Sequence, residues 1–121
     1  MSYELTIPPG APYVLVTVDE PFTRQLAIDL AVGSSRLAAF EGHRKFLYDL
    51  RRSQNIESVL TNYEFVHRDM PPLDLDRYAR VALLVSPDDH SHDFVETVSV
   101  NVGHAVRLFR DEAVAIHWLT A

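Results

Sequence analysis

The sequence predicts an α/β fold, a single mostly parallel sheet of about five strands with four helices, and three observations carry that reading. Short β-branched runs alternate along the chain with longer stretches of helical periodicity, the pattern of strands joined by helical crossovers. The 121 residues suit one domain, 1–121, with no interior linker or internal repeat. A hydrophobic fraction of 47% supplies a core large enough to bury roughly two-thirds of the unfolded chain's surface.

The elements follow in order. Tyr3 to Ile7 alternates and reads as an edge strand, antiparallel to its neighbour, and Pro8-Pro9-Gly10-Ala11-Pro12 breaks it. Tyr13 to Val18 is a second strand, and Asp19-Glu20-Pro21 signals a helix start with Pro21 in the first turn. Phe22, Leu26, Leu30, Gly33, Leu37 and Phe40 recur at helical spacing, leaving Arg24 and Ser35 off the stripe. Gly33 on that stripe implies close backbone packing or a slight bend, at up to about 1 kcal/mol of helix propensity. Glu41-Gly42-His43 ends the helix. Phe46 to Leu50 is the third strand. Ile56, Val59, Leu60, Tyr63, His67 and Met70 make a second helical stripe, stopped by Pro71-Pro72. Val81 to Val85 is the fourth strand. A helix burying Phe94, Val95, Val98 and Val102 follows, then Gly103 as its stop. Ala105 to Phe109 is the fifth strand, and a last helix carries Val114, Trp118 and Leu119 inward.

Composition excludes several functions. The net charge is −6 with His neutral, which argues against nucleic acid as a partner, because phosphate neutralisation needs clustered Lys and Arg. The absence of cysteine removes disulfides, thiolate metal sites and Cys nucleophiles. No apolar run reaches the roughly 18 residues of a membrane span. Met1-Ser2-Tyr3-Glu4-Leu5 has no signal-peptide pattern, so a cytoplasmic location is expected.

The most chemically loaded segment is Ser86-Pro87-Asp88-Asp89-His90-Ser91-His92-Asp93, at the carboxyl end of the fourth strand, where open α/β sheets hold their ligands. Asp88, Asp89, His90, Ser91 and His92 are therefore candidate ligand-binding residues. Arg51, Arg52 and Ser53, at the end of the third strand, join them as a place for a small anion. Imidazole and carboxylate also suit a divalent metal or acid/base catalysis. The alternative is helix capping by Ser91 or an adjacent Asp, with Asp93 and Glu96 shaped like a capping box. Capping explains the same residues with fewer assumptions. No metal, no cofactor and no catalytic residue is therefore expected, and no Gly-rich phosphate loop, nucleophile elbow or His-Glu-x-x-His occurs.

Lys45-Phe46-Leu47-Tyr48-Asp49-Leu50-Arg51, Arg80-Val81-Ala82-Leu83-Leu84-Val85 and the tail from Val106 to Leu119, ending in Trp118-Leu119, resemble segments of the STAS superfamily, the fold of bacterial anti-sigma-factor antagonists. More closely the chain is similar to STAS-like or Sec14-like bacterial domains. The resemblance implies a regulatory, non-enzymatic module that binds a protein partner or a small ligand. Its Sec14-like side implies a carrier of lipid or another small apolar molecule, and an enzyme built on the Asp88–Asp93 loop is the further rival. The superfamily's phosphorylatable serine, in an Asp-Ser-Ser-Gly-Leu motif, matches Ser58 of Glu57-Ser58-Val59-Leu60. Ser58 is thus a candidate phosphoacceptor, expected to be exposed, although Val59 replaces the second serine and the glycine is missing. An open edge at Tyr3 to Ile7 predicts a homodimer.

Overall fold

The computed structural model describes residues 2–121. Five strands form one sheet in the order β1-β2-β3-β4-β5. They are β1 (Tyr3–Thr6), β2 (Val14–Val18), β3 (Lys45–Asp49), β4 (Arg80–Leu84) and β5 (Ala105–Phe109). β1 runs antiparallel to β2, with Leu5 opposite Val16, and every other neighbour is parallel. The four α-helices are α1 (Arg24–Glu41), α2 (Val59–Glu64), α3 (Asp93–Asn101) and α4 (Glu112–Thr120). A π-helical turn, Phe65–Asp69, and a 3-10 turn, Pro71–Leu73, follow α2.

The strand alternation divides the core. Val14, Val16 and Val18 of β2, with Phe46 and Leu83, meet Leu26 and Leu30 of α1. Leu47, Ala82, Leu84 and Phe109 point to the other face, against Ala115 and Leu119 of α4. Ala27 of α1, Phe65 and Val66 of the π turn and Val98 of α3 form a third cluster, which joins these elements above the first face. α4 therefore covers one face alone.

Helix ends differ in part from expectation. α1 starts two residues beyond Phe22, with Thr23 accepting a hydrogen bond from the Leu26 amide, so Pro21 lies outside it. Phe22 instead bridges to Asn55. Gly42 closes α1 at φ 75°, as its sequence position implied. At Gly33 an added Cβ would lie 2.9 Å from Leu5 Cδ1, which is the close packing the stripe predicted. Phe40, at the end of the predicted stripe, is exposed.

The larger correction concerns α2. Its expected inner stripe faces outward, with Ile56, Val59, Leu60 and Tyr63 all exposed. Asn62, Phe65 and Val66 are buried instead, on a competing stripe of the same period. The Asn55 side-chain amide donates to Asn62 Oδ1 at 2.8 Å, and Asn62 Nδ2 donates to the Ser58 carbonyl at 3.0 Å. This satisfied polar pair lets a less apolar stripe win the interior. In α4, Ala115 is buried where Val114 was expected, and Trp118 is half-buried beneath the Arg80 guanidinium, 4.7 Å from its ring.

Candidate functional site

At the carboxyl ends of β3 and β4 the structure gathers Arg51, Arg52, Ser53, Gln54, Ser86, Asp88 and Asp89 around a polar pocket of about 330 Å³. His90, Ser91 and His92 do not line it. Arg51 is already engaged, forking onto Asp49 at 2.9 and 2.8 Å and lying 3.5 Å from Glu112. Burial would push the Asp49 carboxyl up, but the hydrogen bonds and charge of Arg51 prevail and hold it below the usual carboxylate range. Arg52 reaches only Asp19, at 3.8 Å.

The Asp88–Asp93 loop is built from internal hydrogen bonds, but not as the expected cap. Asp89 Oδ1 accepts from the Ser91 amide at 2.8 Å, and Ser91 Oγ accepts from the Asn55 amide at 2.9 Å. His92 is the residue before α3, and no side chain caps that helix. Glu96 does not reach back either; its carboxylate accepts from the Leu108 amide on β5. The first turn relies on its acidic residues, Asp93 and Glu96, to offset the helix dipole.

The two histidines part company. His90 is exposed, with Nδ1 3.0 Å from Asp93 Oδ2 and 3.1 Å from Arg110. His92 is 1% exposed. Its Nε2 lies 2.7 Å from the Ser53 carbonyl, which can only accept, so Nε2 carries the proton. Phe22 meets the His92 ring edge-on at 5.2 Å. Burial depresses the His92 pKa against the opposing pull of Ser53 and Asp89, and the ring is neutral at pH 7. His92 thus ties the start of α3 to the loop after β3, a role its spacing from His90 gave no hint of. Among the described residues, no group of three or more His, Asp and Glu side chains converges as metal ligands would. The Ser53 hydroxyl is buried without a partner.

Ser58 stands just before α2 and caps it, accepting from the Thr61 amide at 3.1 Å and donating to Thr61 Oγ1 at 2.9 Å. It is exposed, as expected, but because it precedes the helix rather than because it sits on its outer face.

A larger concavity lies elsewhere, between the sheet and the helices above its first face, with a volume of about 570 Å³. Its floor is Phe46 and Tyr48 of β3, Val81 and Leu83 of β4 and Val106 of β5. Its roof is the small-residue face of α1, at Ala27, Ala31, Ser34, Ser35 and Ala38, beside Phe65, Met70 and Val95. Those α1 positions recur at i, i+4, i+7, i+8 and i+11, so short side chains line up over the sheet centre while Leu26 and Leu30 pack over β2. That stripe is the sequence signal for the cavity. The polar atoms inside serve each other: Ser34 Oγ and the Tyr48 hydroxyl are 2.9 Å apart. Burial pushes the Tyr48 phenol up to about 12.

Strand order explains why the carboxyl end lacks a deep crevice. Ligand clefts in open α/β sheets form where the order reverses, and here the order is sequential from β1 to β5. No protein-family model matches the chain, and no curated protein is similar to it in sequence. Solved structures are similar in fold. The anti-sigma factor antagonist SpoIIAA in its unphosphorylated form aligns over 99% of both chains, with a TM-score of 0.55 and 14% identity. The fold is STAS-like. A DUF3478-family protein from Shewanella loihica with a SpoIIAA-like fold aligns over 98% of this chain and 92% of its own, with a TM-score of 0.56 and 12% identity. The likeness in fold to SpoIIAA thus extends over nearly the whole length of this STAS-like domain. No helix among the described residues is long and apolar enough to cross a membrane.

Proposed function

We propose that this STAS-like domain is a non-catalytic regulatory module whose ligand is a small apolar molecule bound between α1 and the sheet. The cavity of about 570 Å³ carries this reading. Small-molecule sites occupy roughly 300–1,000 Å³ and are mostly apolar with a few placed polar groups. Protein interiors are otherwise close-packed, so walls left apart forfeit dispersion contacts that a ligand restores. The polar groups at the opposite end support a non-catalytic role, because Asp49, Asp89, Ser91 and His92 are all engaged in hydrogen bonds that hold loops together. A small anion at Arg51 and Arg52 is a poorer fit, since Asp49 and Glu112 already offset Arg51 while Asp88 and Asp89 share the pocket.

The test is titration with N-phenyl-1-naphthylamine, a neutral dye that fluoresces in apolar surroundings, followed by native mass spectrometry of the freshly purified chain. Saturable binding at one site, weakened at least about tenfold by Ala31→Leu in the cavity roof, is the expected result. Absence of saturable binding overturns the ligand. Stoichiometric Zn²⁺ or Mn²⁺ in the mass spectrum overturns the non-catalytic reading.

A protein partner is the second reading, favoured by the outward stripe of Ile56, Val59 and Leu60, which are 62%, 62% and 67% exposed. Tyr63 extends it, its ring stacked 4.1 Å from His67. Apolar side chains grouped on one exposed face suit a protein surface. A second copy of the chain is one such partner, through the open edge at β1, and light scattering across micromolar concentrations separates dimer from monomer.

A further inference from the structure

We infer that the ligand of this cavity is a single-chain amphiphile with a carboxylate head, its tail beneath α1 and its head at Arg44. The inference rests on the cavity reading above and adds the head group. The cavity is closed at the carboxyl end of the sheet by Leu50, Phe65 and His92, all buried. It reaches the surface at the amino end, where Ala39, Gly42, Arg44, Asp74 and Asp76 are exposed parts of its wall. From Arg44 to Leu50 along β3 the lining extends roughly 20 Å at the usual strand rise, which is room for an alkyl chain laid along the strand. The depth offers that chain mostly apolar walls, with the mutually bonded Ser34 and Tyr48 and the polar residues Ser35, Ser99 and His92 among them. A charged group has no place there.

The rim is different. Arg44 Nε lies 3.1 Å from Asp76 Oδ2, with the guanidinium 5.9 Å from the Tyr78 ring centre. Asp76 and Tyr78 belong to the segment between the 3-10 turn and β4, which walls the mouth through Asp74, Leu75, Asp76 and Ala79, beside Leu73 of the turn. A carboxylate is thus already the group that Arg44 holds, and it is presented by a segment lacking helix or strand. The pair is solvent-exposed, so it contributes little stability and exchanges at small cost. A ligand carboxylate replaces Asp76 like for like, and the planar guanidinium donates to its two oxygens in a fork.

The experiment displaces N-phenyl-1-naphthylamine from the full chain with dodecanoate, dodecanol or dodecylammonium. Dodecanoate should compete at about a tenth of the dodecanol concentration or less, and Arg44→Gln should bring the two to equal potency. Arg44→Lys should keep part of it, and circular dichroism checks that both variants fold. Equal potency of acid and alcohol, a preference for the ammonium, or an acid preference that survives Arg44→Gln overturns the carboxylate head and leaves the cavity reading standing. Dye binding that is absent, or that persists in Ala31→Leu, overturns the cavity reading and this inference with it.

Discussion

At the carboxyl end of β3 and β4 the polar side chains are spent on one another, whereas beneath α1 the chain leaves a void of about 570 Å³ that opens at the amino end. Both regions hold histidine, serine and carboxylate. They differ in whether those groups bond within the loop or stand on a rim. The polar loop looked like a site because its residue types suit chemistry, yet most of them are consumed in holding β3, β4 and α3 together. The apolar region looked like core because Ala and Ser are small, yet smallness is what keeps the helix from filling the space.

That contrast can be broken by substitution. His92→Ala should cost about 3 kcal/mol in denaturant unfolding, from a stranded Ser53 carbonyl and the hole beside Phe22. A loss under about 1 kcal/mol would mean that the loop is not structural. The pH dependence comes next in size. Burial depresses His92, and burial with the nearby Arg77 depresses His104, below the ordinary 6.5. The unfolded state then binds more protons, so the stability they contribute is full above about pH 6.5 and falls as pH drops below it, by at most about 1.4 kcal/mol per pH unit for each His. Unfolding midpoints at pH 7.5 and 5.5 read this directly, and His92→Ala should shrink the difference to the part that His104 contributes.

Leu73→Ala, on the cavity wall, should cost about 1 kcal/mol, short of the 2–5 kcal/mol of a packed leucine, because its neighbours face empty space. A full-sized loss would mean that the wall is packed as tightly as the core. Smallest of all, Leu60→Ser and His90→Ala should each move stability by less than about 0.5 kcal/mol, since both side chains are exposed. A larger change at Leu60 would show the α2 stripe to be covered in solution.

Much of the fold was legible because strand and helix periods are local. The element order, the antiparallel first strand, the stop at Gly42 and the tight approach at Gly33 all follow from patterns within one or two elements. What failed was tertiary. Two stripes on the α2 segment share one period, and the inner one is held by contacts from outside it, the Asn55–Asn62 hydrogen bond and the packing of Phe65 and Val66 against Ala27 and Val98. The burial of His92 likewise depends on Ser53 and Phe22, both far off in sequence. The pocket at Arg51, Arg52, Asp88 and Asp89 was foreseen as a neighbourhood, from two parallel strands ending side by side. Its lack of depth was not, because depth depends on strand order.

The sequential strand order also bears on how the chain acquires its shape. Every strand lies beside its predecessor in the sequence, so each crossover closes a loop no longer than one helical unit and its turns. Loop-closure entropy is lost in small equal steps, and no strand must wait for a distant partner to be inserted between its neighbours. Such a sheet extends in one direction, from β2 toward β5, in the order in which a ribosome would deliver it.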